Sequence, residues 1–295
     1  MKKCTGFTLI ELSIVIVIIG LVVGGIVVGR ELIKGAEIRA MLSQKDRYML
    51  AVNIFKQKYN AIPGNMLPTQ AAQFSFFAFT GINAGKTYFG SGNGLIAGWP
   101  EVSCFFECGA FWAQLSDAEL IEPTGATLFD DTSSGCTGVP TGELCWNQAQ
   151  AQYMPKSKYG KGYFGVSGIA YSRHFWRNGN LDQTKNMFYL GKPAAGTSIF
   201  EPNMSAAEAY SIDLKMDDGN PNTGKFLVSV YRLNNSPNFF SVLGLSVATY
   251  WSATTSAGAN ICTFGGANAY DTTAQYNSDP ANGGDNSTCI PAFVW

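Results

Sequence analysis

Glu11 is the one charged side chain between residues 7 and 29. Placing a carboxylate in a membrane-spanning segment costs about 2.5–3.5 kcal/mol on membrane-insertion scales. Glu11 is therefore predicted to have a functional role and a cationic partner. If the chain were cut after Gly6, Phe7 would carry a new α-ammonium group four residues before Glu11. The ammonium of one copy could then neutralise Glu11 of a neighbour where helices pack side by side at low dielectric constant. The alternative is that Glu11 lies close enough to lipid headgroups to be tolerated.

A second group with potential chemistry consists of Asp213, Asp217 and Asp218. Several carboxylates on a flexible loop are ligands that Ca²⁺ prefers. The segment 217–221, with the sequence DDGNP, is equally typical of a simple turn. A structural calcium site and a metal-free turn therefore both remain open, and no other cofactor is predicted.

Two function classes are disfavoured by composition. His174 is the single histidine and has no recognisable nucleophile motif beside it, so we predict that the chain is not an enzyme. The 20 basic and 21 acidic residues give a net charge of −1, without the basic excess of a nucleic-acid-binding protein. The 20 Phe, 13 Tyr and 6 Trp residues exclude a disordered chain.

The segment around Glu11 predicts a membrane-spanning helix. Residues 12–29 are uncharged and mostly Ile, Val, Leu and Gly. About 20 such residues cross a hydrocarbon core of about 30 Å. A cleaved secretory signal has a shorter apolar region and an A-x-A-like site, which is missing here. Lys2 and Lys3 favour a cytoplasmic N-terminus, although basic residues after the segment weaken that prediction.

The residues from Lys2 to Leu12, KKCTGFTLIEL, resemble the prepilin signature of the type IV pilin and pseudopilin family. This resemblance implies that prepilin peptidase cleaves between Gly6 and Phe7 and methylates the new amine of Phe7. It implies that Glu11 pairs with the N-terminus of a neighbouring subunit during assembly. The implied partners are other pilin or pseudopilin subunits, prepilin peptidase and an inner-membrane assembly platform.

Weaker similarity continues further along the chain. Residues 58–66 resemble the K-Y-x-A-x-P-G-D segment of many of these proteins, and residues 212–221 resemble their I-D-x-K-x-D-D-G-x-P segment. Trp112, with Gln114 and Leu115, is similar to their F-W-x-x-L helix. Two positions depart from the family pattern. Asn65 stands where Asp is common, and the loop 90–94 resembles a Gly-Asp-rich loop but has no carboxylate, which argues against a metal in that loop.

Six cysteines remain if Cys4 leaves with the leader, and an even number outside the cytoplasm is typical of disulfides. Six cysteines allow 15 connectivities. Sequence proximity favours the pairs Cys104–Cys108, Cys136–Cys145 and Cys262–Cys289. Zinc is disfavoured because no C-x-x-C occurs.

The chain divides into four parts: a leader (1–6), a transmembrane or filament-core helix (7–29), its amphipathic continuation (30–62) and a globular extracytoplasmic domain (63–295). Five apolar or aromatic residues of the continuation are spaced so that they fall on one helix face, and this face is predicted to be buried. They are Met41, Tyr48, Val52, Phe55 and Tyr59. Ile62-Pro63-Gly64 predicts its end. A short helix is expected over 110–121, strands over 162–171, 186–190, 207–214 and 225–232, and surface loops over 253–286. Together these elements predict an α+β fold, with an antiparallel sheet packed on the long helix and long disulfide-bonded loops.

The leading hypothesis is a structural subunit of a type IV pilus-like filament. The expected role is that of a minor or specialised surface pilin, and a mature length of 289 residues favours a specialised role because it is large for a principal subunit. The alternatives are a pseudopilin of a type II secretion system and, more remotely, a membrane-anchored binding domain that does not polymerise. Before assembly the chain would cross the inner membrane once, with its C-terminal domain in the periplasm; afterwards it would lie in a periplasmic or cell-surface filament.

Overall fold

The first element is one continuous helix, α1 (Leu9–Tyr59), of 51 residues. At about 1.5 Å per residue it is about 76 Å long. It ends where Asn60 adopts a left-handed φ of 52° and Pro63 follows, as the sequence predicts. The predicted start at Phe7 lies outside the described residues. The computed structural model describes residues 9–76, 79–80, 87–88, 90–96, 107–123, 154–160, 162–169, 182–193, 200–201, 203–221, 223–230, 263–264, 275–276 and 287–295.

Three shorter helices and ten strands follow among the described residues. The helices are α2 (Pro68–Gln73), α3 (Glu107–Asp117) and α4 (Ala206–Met216). The strands are β1 (Phe79–Thr80), β2 (Thr87–Tyr88), β3 (Tyr163–Gly168), β4 (Asn186–Pro193), β5 (Phe200–Glu201), β6 (Met204–Ser205), β7 (Phe226–Val230), β8 (Thr263–Phe264), β9 (Gln275–Tyr276) and β10 (Ser287–Val294). The long helix with an antiparallel sheet confirms the predicted α+β class.

The main sheet has six strands, all paired antiparallel. Strand β10 lies at its centre: β4 and β6 pair with different parts of it, and β7 also pairs with it. Strand β3 pairs with β4 over six residues, and β5 pairs with the end of β4. The separate pairs β1–β2 and β8–β9 are two residues long.

Strands β3, β4 and β7 confirm three of the four predicted strands, and α3 confirms the short helix with its bounds shifted. The prediction of a strand over 207–214 is wrong, because this segment belongs to α4. Its N-terminus has a capping box: Ser205 Oγ accepts from the backbone N–H of Glu208, and Glu208 Oε2 accepts from the backbone N–H of Ser205. Within the predicted loop tract 253–286, β8 and β9 are described, and the remaining residues lie outside the described part.

The core forms where α1 packs against the sheet and α3. Met41, Tyr48, Val52 and Phe55 are buried, which confirms the predicted face, and Tyr59 is half-buried. The Tyr48 ring contacts the rings of Trp112 and Phe164 edge-on, at centroid distances of 5.0 and 5.5 Å. The outer half of α1 is therefore part of the globular core.

Candidate functional site

The inner half of α1 has an apolar surface that the rest of the described chain leaves uncovered. Seventeen large apolar side chains between Leu9 and Ile33 are exposed; Leu9 is 88% exposed and Ile33 60%. Among the described residues, α1 is the one helix long and apolar enough to cross a membrane. An apolar surface of this size indicates burial in lipid or against other helices.

Four glycines leave the backbone of this part of α1 open to close approach by another helix. A Cβ atom added at Gly20, Gly24, Gly25 or Gly29 would meet no atom within 4 Å. Two of these pairs, 20/24 and 25/29, have the four-residue spacing that places small residues on one helix face. A neighbouring helix could therefore come close to the α1 backbone at these positions.

Glu11 lies in the first turn of α1 as described, with its side chain exposed among the apolar residues. The hydroxyl of the neighbouring Ser13 donates a hydrogen bond within the helix, to the carbonyl oxygen of Ile10 at 2.9 Å. Gly6 and Phe7 lie outside the described residues, so the cleavage site and the pairing of Glu11 with an N-terminus stay predictions.

Beyond the apolar surface, Gln44 connects α1 to the segment 154–160. Gln44 is buried, and its Nε2 donates to the carbonyl oxygen of Lys156 at 2.7 Å and to the Tyr48 hydroxyl at 2.8 Å. Its Oε1 accepts from the backbone N–H of Lys158 at 2.9 Å. Burial raises the pKa of Tyr48 to about 12, so this hydroxyl stays protonated at neutral pH. The sequence analysis missed Gln44, although a polar residue between Met41 and Tyr48 on the buried face was a usable signal.

Glu208 provides a second connection between α1 and the globular part. Its Oε1 lies 3.4 Å from Nζ of Lys34 on α1, and its Oε2 accepts from the Tyr159 hydroxyl at 2.8 Å and from Ser205 Oγ at 2.7 Å. Burial alone would raise the pKa of Glu208, but these hydrogen bonds and the charge of Lys34 outweigh it, and the pKa lies below the ordinary value. The carboxylate is therefore ionised at neutral pH.

The three aspartates do come together at the end of α4. Asp213, Asp217 and Asp218 each offer an oxygen atom, and these atoms lie within 4.8 Å of one another. Asp213 is fully buried, Asp217 half-buried and Asp218 exposed. Three carboxylates at this distance repel one another unless a cation or proton lies among them. Carboxylate oxygens on one loop are also the donor set that suits Ca²⁺.

The same aspartates hold their own loop. Asp217 Oδ2 accepts from the backbone N–H groups of Lys225 and Phe226. Asp218 Oδ1 accepts from the N–H of Asn220 at 2.8 Å, and its Oδ2 accepts from Thr223 Oγ1 at 2.5 Å. The geometry is therefore compatible with both predicted roles, a hydrogen-bonded turn and a site for a divalent cation.

The remaining sequence candidates lie mostly outside the described residues. Cys108 and Cys289 are fully buried. Cys104, Cys136, Cys145 and Cys262 lie outside the described part, as does His174, so the disulfide pairs stay predictions. Gln114 on α3 accepts from the backbone N–H of Gly64 at 2.6 Å, which places the predicted F-W-x-x-L helix against the turn after α1.

The comparison with protein families bears on the exposed apolar helix. The family model of the prokaryotic N-terminal methylation motif matches residues 1–27. The chain carries the prepilin signature. The matched residues include Gly6, Phe7 and Glu11 and lead directly into the uncovered surface of α1. The motif supports a protein of the type IV pilin or pseudopilin class, which assembles with other pilin subunits and is anchored in a membrane by its N-terminal helix. Neither the curated proteins nor the solved structures gave a match.

Proposed function

We propose that this chain is a structural subunit of a type IV pilus-like filament, specifically a minor or specialised surface pilin. Prepilin peptidase cuts it between Gly6 and Phe7 and methylates the amine of Phe7. The chain then stays in the inner membrane, with a cytoplasmic N-terminus and a periplasmic domain, until an assembly platform extracts it into a filament. Its role is structural and not enzymatic.

The observation that carries this proposal is the division of α1 into two halves. The inner half is apolar, bears the methylation motif and is uncovered, whereas the outer half is packed into the domain core. A plain membrane anchor needs neither a cleavage motif nor a carboxylate in its apolar segment. In a filament, contacts between α1 helices replace contacts with lipid, so the two environments must be of similar free energy.

Glu11 gives the assembled helices a preferred axial position. An α-ammonium group and a carboxylate attract strongly in a medium of low dielectric constant and cost free energy when either one is left alone. The pair forms only when one subunit is placed so that its Phe7 reaches Glu11 of its neighbour. A register that misses this pairing leaves a charge buried without compensation.

A second candidate is a pseudopilin of a type II secretion system, because the methylation motif is common to both classes. Such a subunit would form a short periplasmic fibre. The length of the mature chain, 289 residues after removal of six, favours a specialised role over that of a principal filament subunit. A membrane-anchored binding domain that does not polymerise is a more remote alternative.

Calcium is the one ion for which we propose a site. Asp213, Asp217 and Asp218 would hold it at the end of α4, where it would offset the repulsion among the three carboxylates. The ion would be structural, fixing the loop between α4 and β7. We further propose that the six cysteines of the mature chain form disulfides in the periplasm.

Mass spectrometry of the N-terminal peptide, from sheared extracellular material and from washed envelopes, tests the main proposal. N-methylated Phe7 in the sheared fraction would support a surface pilin. The same peptide confined to envelopes would favour the pseudopilin. An intact Met1 leader in both fractions would overturn processing and leave the plain anchor.

A further inference from the structure

The loop 90–96 is built around the side chain of Asn65, which is 3% exposed. Asn65 Nδ2 donates toward three oxygen atoms of this loop. They are the carbonyl oxygen of Leu95 at 2.9 Å, Ser91 Oγ at 3.1 Å and Asn93 Oδ1 at 3.3 Å. On the other side, Asn65 Oδ1 accepts from the backbone N–H of Gly94 at 2.7 Å. That bond determines which amide atom faces the three oxygens.

Three oxygens converging on one point is the arrangement of a cation loop. They come from alternate residues, 91, 93 and 95, the last through its backbone carbonyl, and calcium loops supply ligands from alternate residues in the same way. An amide nitrogen carries two protons, so three acceptors exceed what it can satisfy with good geometry. The loop therefore has part of the oxygen pattern of a cation loop, with an amide nitrogen at its centre.

The charges explain why an amide can occupy this place. All three converging oxygens belong to neutral groups, whereas divalent-cation loops derive their affinity from carboxylates. The nearby carboxylate of Glu107 is not one of the three converging groups. Its Oε1 accepts a hydrogen bond from the backbone N–H of Ser91 at 2.6 Å. The partial positive charge of the amide N–H₂ group matches three neutral oxygens without the dehydration of an ion.

The loop occupies a junction between several elements. Asn65 follows the end of α1, and Glu107 lies in the first turn of α3. At the far end of the loop, Asn186 of β4 donates to the carbonyl oxygen of Gly94 at 2.9 Å and accepts from the N–H of Ile96 at 2.8 Å. The loop thus connects the end of α1 and the start of α3 to the first residue of β4, an inner strand of the main sheet.

We infer that the amide nitrogen of Asn65 takes the position of a metal ion in the loop 90–96, so that this junction forms without a divalent cation. Replacing Asn65 by aspartate removes the two N–H donors and places a negative charge among the oxygens. The loop then needs a cation at its centre. The inference goes beyond the proposed function and does not depend on filament assembly.

Hydrogen exchange of peptides covering residues 90–96 tests this inference in the full chain in detergent. Two proteins are compared, one with Asn65 and one with Asn65→Asp. Both also carry Asp218→Asn, which removes a ligand of the calcium site proposed at the end of α4 while keeping an acceptor oxygen. With Asn65 present, exchange should be equal in calcium and in chelator. With Asn65→Asp added, exchange in chelator should be about tenfold faster or more, and calcium should restore it to within about twofold. Asn53→Asp, at an exposed position of α1, is the matched control and should change neither rate.

Three results would overturn the inference. Faster exchange in chelator with Asn65 present would mean that the native loop holds a real cation. Undisturbed exchange of the Asn65→Asp loop in chelator would mean that nothing is required at the centre. Failure of that variant to regain protection or to fold in calcium would mean that its oxygens do not form a cation site.

Discussion

The hydroxyl of Tyr159 donates a hydrogen bond of 2.8 Å to Oε2 of Glu208, whose other oxygen lies 3.4 Å from Lys34 on α1. One carboxylate thus joins the segment 154–160, the start of α4 and the long helix. Burial and the bond to Glu208 raise the pKa of Tyr159 well above its usual value, so Tyr159 donates throughout the physiological range.

Glu208 should make the stability of the protein depend on pH in the acidic range. Because its pKa is lower in the folded state, its contribution is complete above its unfolded pKa and is lost as the pH falls through its folded pKa. Glu208→Gln should cost about 1–2 kcal/mol at pH 7, and this difference from the wild type should shrink below about pH 4. Denaturant unfolding of the full chain in detergent, at pH 7 and below about pH 4, measures the difference between Glu208→Gln and the wild type. Glu119→Gln, an exposed change, is the control, and a cost independent of pH would contradict the prediction.

Gln44 should be the polar residue on which the packing of α1 depends most. Gln44→Leu removes hydrogen bonds to Lys156, Lys158 and Tyr48, two of them to backbone groups. We expect a loss of about 2–4 kcal/mol in the free energy of unfolding, because buried backbone groups lose their partners. Gln57→Leu, an exposed change on the same helix, should cost less than about 0.5 kcal/mol. Equal effects of the two changes in denaturant unfolding would show that the bonds of Gln44 contribute little.

Sequence alone predicted α1 well because two strong patterns coincide in it. The apolar run marks its inner half, and helical spacing from Met41 to Phe55 marks the buried face of its outer half. The prepilin signature marks the start of the same helix as the part expected to take part in assembly. None of these signals depends on contacts between distant residues.

The sheet was harder to predict because the sequence of its central strand lacks a clear strand pattern. Strand β10 contains Pro291, which argues against a central strand, and follows a tract rich in Gly, Asn and Thr. Pro291 is tolerated because it pairs with Val228 of β7 on one side and falls between the residues that pair with β6 and with β4 on the other. Its place depends on strands more than 60 residues away.

The contacts of Asn65 and the start of α4 show two further limits of prediction from sequence. Asn65 could be noted from sequence as a departure from Asp, but the three oxygens it meets come from residues 26 to 30 positions later. The strand predicted over 207–214 is wrong because this segment follows the capping box of Ser205 and Glu208, a helix signal that the sequence already contains. Local capping chemistry would have corrected this error.

Gly165 on β3 should not tolerate a side chain. A Cβ atom there would lie 1.9 Å from Cζ of Tyr189, whose ring covers the glycine from the neighbouring strand. Gly165→Ala should destabilise the protein by about 1–3 kcal/mol in thermal or denaturant unfolding. Gly35→Ala, in open space on α1, should be neutral or stabilising by up to about 1 kcal/mol. If Tyr189→Leu does not reduce the cost of Gly165→Ala, steric overlap is not the cause.

Calcium should raise the melting temperature if it binds at Asp213, Asp217 and Asp218. At a concentration about 100 times the Kd, the expected rise is about 5–10 °C. Asp218→Asn should abolish the rise while keeping an oxygen that accepts from the N–H of Asn220. Differential scanning fluorimetry in calcium, in magnesium and in chelator measures both proteins. Equal melting temperatures under all three conditions would mean that the loop is a hydrogen-bonded turn without a metal.

Glu11 should be needed for assembly and not for membrane insertion. Glu11→Ala removes the carboxylate from the apolar surface of α1, which makes insertion easier, but it also removes the partner for the Phe7 amine of a neighbouring subunit. We expect normal amounts of processed protein in the membrane fraction and a reduction of about tenfold or more in filament yield, measured by shearing and immunoblotting. Glu31→Ala, on the exposed part of the same helix beyond the apolar segment, should leave both amounts unchanged. A normal filament yield from Glu11→Ala would mean that contacts between the apolar surfaces set the axial register of the subunits without the charge pair.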